Sequence, residues 1–125
     1  MRGGIAVKEC LGVKPQVPYS AAVVTGDYVF ASGQLPTDAA GSVVAGGIKE
    51  QTAACLEKIK GILEEAGSSM EKVVKVTVFI TDKADLAAMN EIYMQYFPDQ
   101  RPARSCVVVG LAVDAKIEID AIALR

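Results

Sequence analysis

Histidine is absent from all 125 residues of this chain. That absence removes Ser-His-Asp and Cys-His nucleophile pairs, the HExxH metalloprotease site and every histidine-ligated metal. Proton transfer near neutral pH is left to carboxylates, tyrosine, cysteine, lysine or water. Cysteine is scarce as well. Cys10, Cys55 and Cys106 are odd in number and far apart, so neither a disulfide framework nor a CxxC pair is available. Such thiols suit a reducing cytoplasm. There is no run of lysines or arginines, and a net charge of -2 with a pI near 5.1 lacks the electrostatic footprint of a nucleic-acid binder. Charge-free stretches such as Cys106 to Val113 are far too short to cross a bilayer, which argues against a membrane span. The opening MRGGIAVKEC lacks the apolar core and small-residue cleavage site of an export signal.

What is present is apolar. Hydrophobic residues make up 51% of the chain and its mean hydropathy is +0.30, enough to suggest that another subunit covers part of the surface. The length fits one domain, residues 1–125. Residues 21–32, AAVVTGDYVFAS, form two apolar runs joined by Gly26-Asp27, which predicts a hairpin whose second strand ends at Ser32-Gly33-Gln34. A loop follows by composition. Ile48, Thr52, Cys55, Ile59, Ile62, Leu63 and Ala66 then recur at helical spacing, with Gly67 as the stop.

The run VVKVTVFI at 73–80 reads as a central strand, apolar on both faces, with Val74, Val76, Val78 and Ile80 on one side and Val73, Thr77 and Phe79 on the other. A second helix is predicted from about Asp82, burying Leu86, Met89, Tyr93 and Phe97 and ending at Pro98. Strands near 103–109 and 116–123 close a β-β-α-β-α-β-β order, with room for an extra strand around Ile5 to Lys8. Two helices can cover only one face of such a sheet. The other face would stay apolar and bare, which predicts an oligomer packed sheet against sheet.

Two charges stand inside the last strands. Arg104, Cys106 and Val108 share one face of their strand, and Glu118 alternates with Ile117 and Ile119 on the next. A neighbouring strand could bring that carboxylate to the guanidinium. The pair then reads either as a structural ion pair, or solvated edge charges, or as a site in which Arg104 receives a ligand carboxylate and Glu118 handles water or a proton. Cys106 defaults to a small buried hydrophobe, and without a histidine it makes a poor nucleophile. Cys55 belongs to the helix stripe and reads as core.

PYS at 18–20, SGQLP at 32–36, QTAACLEKIKGILEEAG, VVKVTVFITD, MNEIYMQYF, PARSCV and KIEIDAIA, in this order along nearly the whole chain, resemble the RidA (YjgF) family of reactive-intermediate deaminases. The resemblance implies an α/β (α+β) chorismate-mutase-like fold: a mixed sheet with two helices on one face, assembled as a homotrimer with a central β-barrel and three intersubunit clefts. It also implies hydrolysis of enamines or imines such as 2-aminoacrylate to 2-keto acids and ammonia, with no metal or organic cofactor. In that reading Arg104 holds the substrate carboxylate and Glu118 positions the water. Gly33 and the Cys106 backbone add polar contacts, Tyr19 closes the pocket, and Asn90 matches the family's helix.

Gly33 could equally be an ordinary strand-ending glycine, Tyr19 an interface aromatic and Asn90 an exposed helical residue. Three features depart from the pattern. Val17 replaces the usual glycine before Pro-Tyr, Val108 a residue often polar, and the loop LAVDA lacks Leu-Pro. Val108 shares the Arg104 face and Val17 abuts Tyr19, so both changes make the pocket drier or narrower. Two rivals remain: a non-catalytic small-carboxylate binder using the same Arg104 pocket, and a chorismate mutase. The latter needs several cations around a dianion, and the only arginines are Arg2, Arg101, Arg104 and Arg125.

Overall fold

The structure, a computed structural model, describes residues 7–125. Six strands, β1 (Glu9–Leu11), β2 (Ala22–Thr25), β3 (Tyr28–Gln34), β4 (Val73–Ile80), β5 (Ala103–Val108) and β6 (Ile117–Leu124), form one sheet in the order β1-β2-β3-β6-β4-β5. All neighbours are antiparallel except β4 and β5, the pair joined through a helix. Strands β3 and β4 run parallel with β6 slotted between them. The strand expected around Ile5 to Lys8 begins outside the described residues; the described one is β1.

Only Gly26 of the β2–β3 turn has positive φ, at 55°, so the hairpin needs glycine at its first central position alone. Helix α1 (Ile48–Glu65) buries Ile48, Thr52, Cys55, Ile59 and Leu63 as the spacing predicts, with Gln51 and Leu56 added to the stripe. At its end Gly67 adopts φ +84°, which lets Ser68 N–H reach the Leu63 carbonyl at 2.8 Å and the Gly67 N–H reach Glu64 at 3.1 Å. Helix α2 (Leu86–Tyr96) starts later than the sequence suggests, after a 3-10 turn at Lys83–Asp85 whose Ala84 N–H is held by the Asp82 carboxylate at 2.9 Å. Because of that turn Leu86 faces solvent, while Met89, Tyr93 and Phe97 are buried.

The core lies between the helices and one sheet face, where Val76, Val78, Ile80, Ile117 and Ile119 are essentially inaccessible. A register shift between Val73 and Lys75 moves Val73 to this face and turns Val74 outward, reversing the sides their alternation predicts. The opposite face carries Tyr28, Phe30, Val107 and Leu124, each 41–46% exposed. Among the described residues no helix is long and apolar enough to cross a membrane.

Candidate functional site

Arg104 and Glu118 do not meet within the chain. In the parallel β4–β5 ladder Arg104 stands opposite Val76, so its side chain rises on the helix face. In the antiparallel β4–β6 ladder Glu118 stands opposite Phe79, three residues further along β4 and therefore on the other face. The expectation that an adjacent strand joins the two charges fails because β4 lies between β5 and β6. Among the described residues neither charge has an ion-pair partner; the one pair present joins Lys49 and Glu91 on the helices.

The helix-face cluster forms where α2 passes over β5. Arg104 Nη1 donates to Asn90 Oδ1 at 2.7 Å, and the guanidinium lies 4.8 Å from the centre of the Tyr93 ring. Asn90 and Tyr93 are three apart on α2 and so share a face, which makes Asn90 a working partner rather than an exposed helix residue. Arg101 closes the same end of α2, donating from Nε to the Phe97 carbonyl at 2.8 Å. A cavity of about 300 Å³ opens here between Asn90, Tyr93, Met94, Pro102 and Arg104. The Tyr93 hydroxyl is buried without a partner, and burial raises its pKa against the opposing pull of Arg104 and Arg101. The spacing of Asn90 and Tyr93 was the available signal for this ring, hidden because tyrosine at a buried helix position reads as core.

Cys106 follows two residues after Arg104 on the same face and is half-buried. Burial raises its pKa and the Arg104 charge only partly opposes this, so it stays a thiol at neutral pH. Cys106→Ser is therefore expected to keep most activity, with assembly and melting temperature near those of the parent. Complete loss of turnover in a folded, assembled variant would point to covalent catalysis instead. Cys55 is inert, its pKa pushed up to about 12 by burial.

The second cluster is built around a β-bulge. Ala31 pairs with Ala121 and Gln34 with Ile119, so Ser32 and Gly33 together oppose Asp120. β3 runs one residue past Gly33 and ends at Gln34, inside the Ser32-Gly33-Gln34 end that the sequence predicts. The Ser32 hydroxyl donates to the Ser20 carbonyl at 2.6 Å, tying the bulge to the segment that carries Tyr19. Glu118 packs directly on the Gly33 backbone: a Cβ at position 33 would lie 2.9 Å from the Glu118 Cδ, with Oε2 closer still. Only glycine leaves that carboxylate where it is. Tyr19, 61% exposed, and Gly33 line one cavity of about 420 Å³ together with Val17.

Gly33→Ala is expected to fold, because the flexible end of Glu118 can swing aside, shifting the melting temperature by no more than a few degrees. Turnover should fall sharply as the carboxylate moves. A variant with unchanged turnover would separate Glu118 placement from activity.

The chain therefore carries two separate clusters, Arg104 with Asn90 and Cys106 on the helix side of the sheet, and Glu118 against Gly33, whose backbone also lines the cavity of Tyr19. A family model described as endoribonuclease L-PSP matches residues 11–125. This chain belongs to that family, also known as YjgF or RidA.

Among its relatives, a RutC family protein of Pyrococcus abyssi is 50% identical over 114 residues, covering 90% of each chain. TdcF of Escherichia coli, whose name assigns it provisionally to reactive intermediate deamination, is 42% identical over 86% of this chain and 87% of its own. The crystal structure of TdcF with bound serine superposes with a TM-score of 0.83, covering 93% of each chain at 41% identity. Yeast Mmf1 gives a TM-score of 0.89 at 32% identity, over 94% of this chain and 98% of its own. The mixed α+β fold is that of the YjgF/L-PSP structures. Among the described residues no group of three or more acidic or cysteine side chains is placed to hold a metal.

Proposed function

We propose that this YjgF-family chain hydrolyses small 2-imino acids, and the enamines that tautomerise to them, to 2-keto acids and ammonia. The carrying observation is the Arg104 guanidinium: half-buried, oriented by Asn90 and the Tyr93 ring, and without a carboxylate partner among the described residues. An anchored, unneutralised arginine fork is a receptor for a planar carboxylate. The substrate carboxylate would occupy it. Water adds to the imine carbon while Glu118 takes one of its protons and passes it to nitrogen, giving the carbinolamine; the carbinolamine hydroxyl proton then follows to nitrogen as the carbonyl forms, the carbon–nitrogen bond breaks and ammonia leaves. Imine and water together account for every atom of the keto acid and ammonia.

The two clusters lie on opposite sides of one sheet, so they complete each other only between copies of the chain. The bare apolar face bearing Tyr28, Phe30, Val107 and Leu124 supplies a surface for that assembly. We infer a homotrimer in which Arg104 of one copy faces Glu118 of the next. Sedimentation at micromolar concentration should give three times the monomer mass. A stable monomer would remove the composite site.

The family description also carries the word endoribonuclease. With no histidine and a net charge of -2, the chain offers neither an imidazole acid/base pair nor a basic track for RNA, which favours the small-carboxylate reading. The deciding experiment generates 2-aminoacrylate with a dehydratase and follows pyruvate release with and without the protein. Acceleration supports the deaminase. Its absence in a folded oligomer that still binds keto acids would make the protein a carboxylate sensor.

A further inference from the structure

The cavity beside Tyr19 and Gly33 is lined by two lysines, Lys14 and Lys58, and by no aspartate or glutamate. Lys58 reaches it from α1. Its Nζ donates to the Thr37 hydroxyl at 2.7 Å and to the Leu35 carbonyl at 3.1 Å, which fixes the ammonium at the cavity wall and leaves one of its three N–H groups over. Lys14 stands on the exposed loop after β1, in a turn closed by the Val17 N–H on the Lys14 carbonyl at 3.1 Å. Val17 adds an apolar wall, and a drier wall strengthens the attraction between a fixed cation and an anion. Neither lysine has an ion-pair partner among the described residues.

We propose that this cavity is a second anion subsite, selecting 2-imino and 2-keto acids whose side chain ends in a carboxylate of its own. The inference rests on the reading above, in which Arg104 of a second copy takes the first carboxylate. Arg104 then holds the reacting end of the substrate. Lys58, assisted by Lys14, holds the far end, with the Glu118 carboxylate approaching from behind Gly33 at the carbon between them. Lys58 is a specificity-determining residue here, acting on substrate charge and taking no part in proton transfer.

Calorimetric titration of the assembled protein with 2-oxoglutarate and with 2-oxohexanoate, nearly equal in length but differing in the terminal charge, tests the idea without requiring turnover. A charged hydrogen bond of the usual strength predicts about tenfold or more tighter binding of 2-oxoglutarate. Lys58→Gln should erase that preference and leave 2-oxohexanoate within about twofold, and Lys58→Arg should restore it. Because Lys58 also pins the 35–37 loop, Lys14→Gln on the exposed loop serves as a second variant, expected to reduce the preference without touching the fold. Equal affinity of the two keto acids for the parent protein, or an equal loss of both in Lys58→Gln with no selective effect of Lys14→Gln, overturns the subsite alone. If neither keto acid binds, the carboxylate-site reading falls and the subsite with it.

Discussion

Arg104→Ala is expected to abolish recognition of small 2-keto and 2-imino acids while leaving the oligomer folded. The guanidinium donates to Asn90 Oδ1 and packs over Tyr93, and neither contact neutralises its charge. Removing one partner of a desolvated charge pair typically costs about 2–5 kcal/mol, equivalent to roughly thirtyfold to several thousandfold in affinity. The fold should tolerate the change because Arg104 sits on edge strand β5, where its lost contacts are one hydrogen bond and one cation–π contact. Keto-acid titration and thermal melting of the same preparation decide the matter. If Arg104 were instead a structural strut, melting temperature would fall and residual binding would track the folded fraction.

Glu118→Gln is expected to act on turnover and not on affinity. Glutamine keeps the shape that packs against Gly33 and an oxygen that can accept a hydrogen bond, but it cannot take a proton from water at neutral pH. The loss of general base catalysis is commonly about 10²- to 10⁴-fold in rate. Product affinity should stay within a few fold, so kcat falls with little change in binding. Unchanged turnover would sink the proposed role of Glu118. A parallel loss of binding and turnover would instead make the carboxylate part of the substrate cradle.

Most of the architecture was legible in the residues. The stripe of α1, the stop at Gly67, the β-branched run at 73–80 and the two closing strands all appear where periodicity and turn chemistry predict them, within a residue or two. The discrepancies are local and have identifiable causes. Leu86 is exposed because a 3-10 turn delays α2, and Val73 and Val74 exchange faces because a register shift interrupts β4. Gly33 was legible as a special position, but its reason was not: a glycine inside a strand pattern signals a bulge or a close approach, and here it is both.

Sequence alone singled out Arg104 and Glu118 as charges set into the closing strands and left a structural pair and a carboxylate site both open. A chain without histidine, with one arginine and one glutamate set into its closing strands, has few ways to bind a carboxylate and activate water. It could not determine how those groups are placed, because alternation along a strand assigns a face only relative to that strand's own neighbours. Strand order is a long-range property. The insertion of β6 between β3 and β4, with β5 left at the edge, put two residues expected to be neighbours on opposite faces of the sheet. Tertiary structure also seated Asn90 and Tyr93 against Arg104 and brought Lys58 to the cavity beside Gly33, contacts between residues too far apart in the chain for any local pattern to encode.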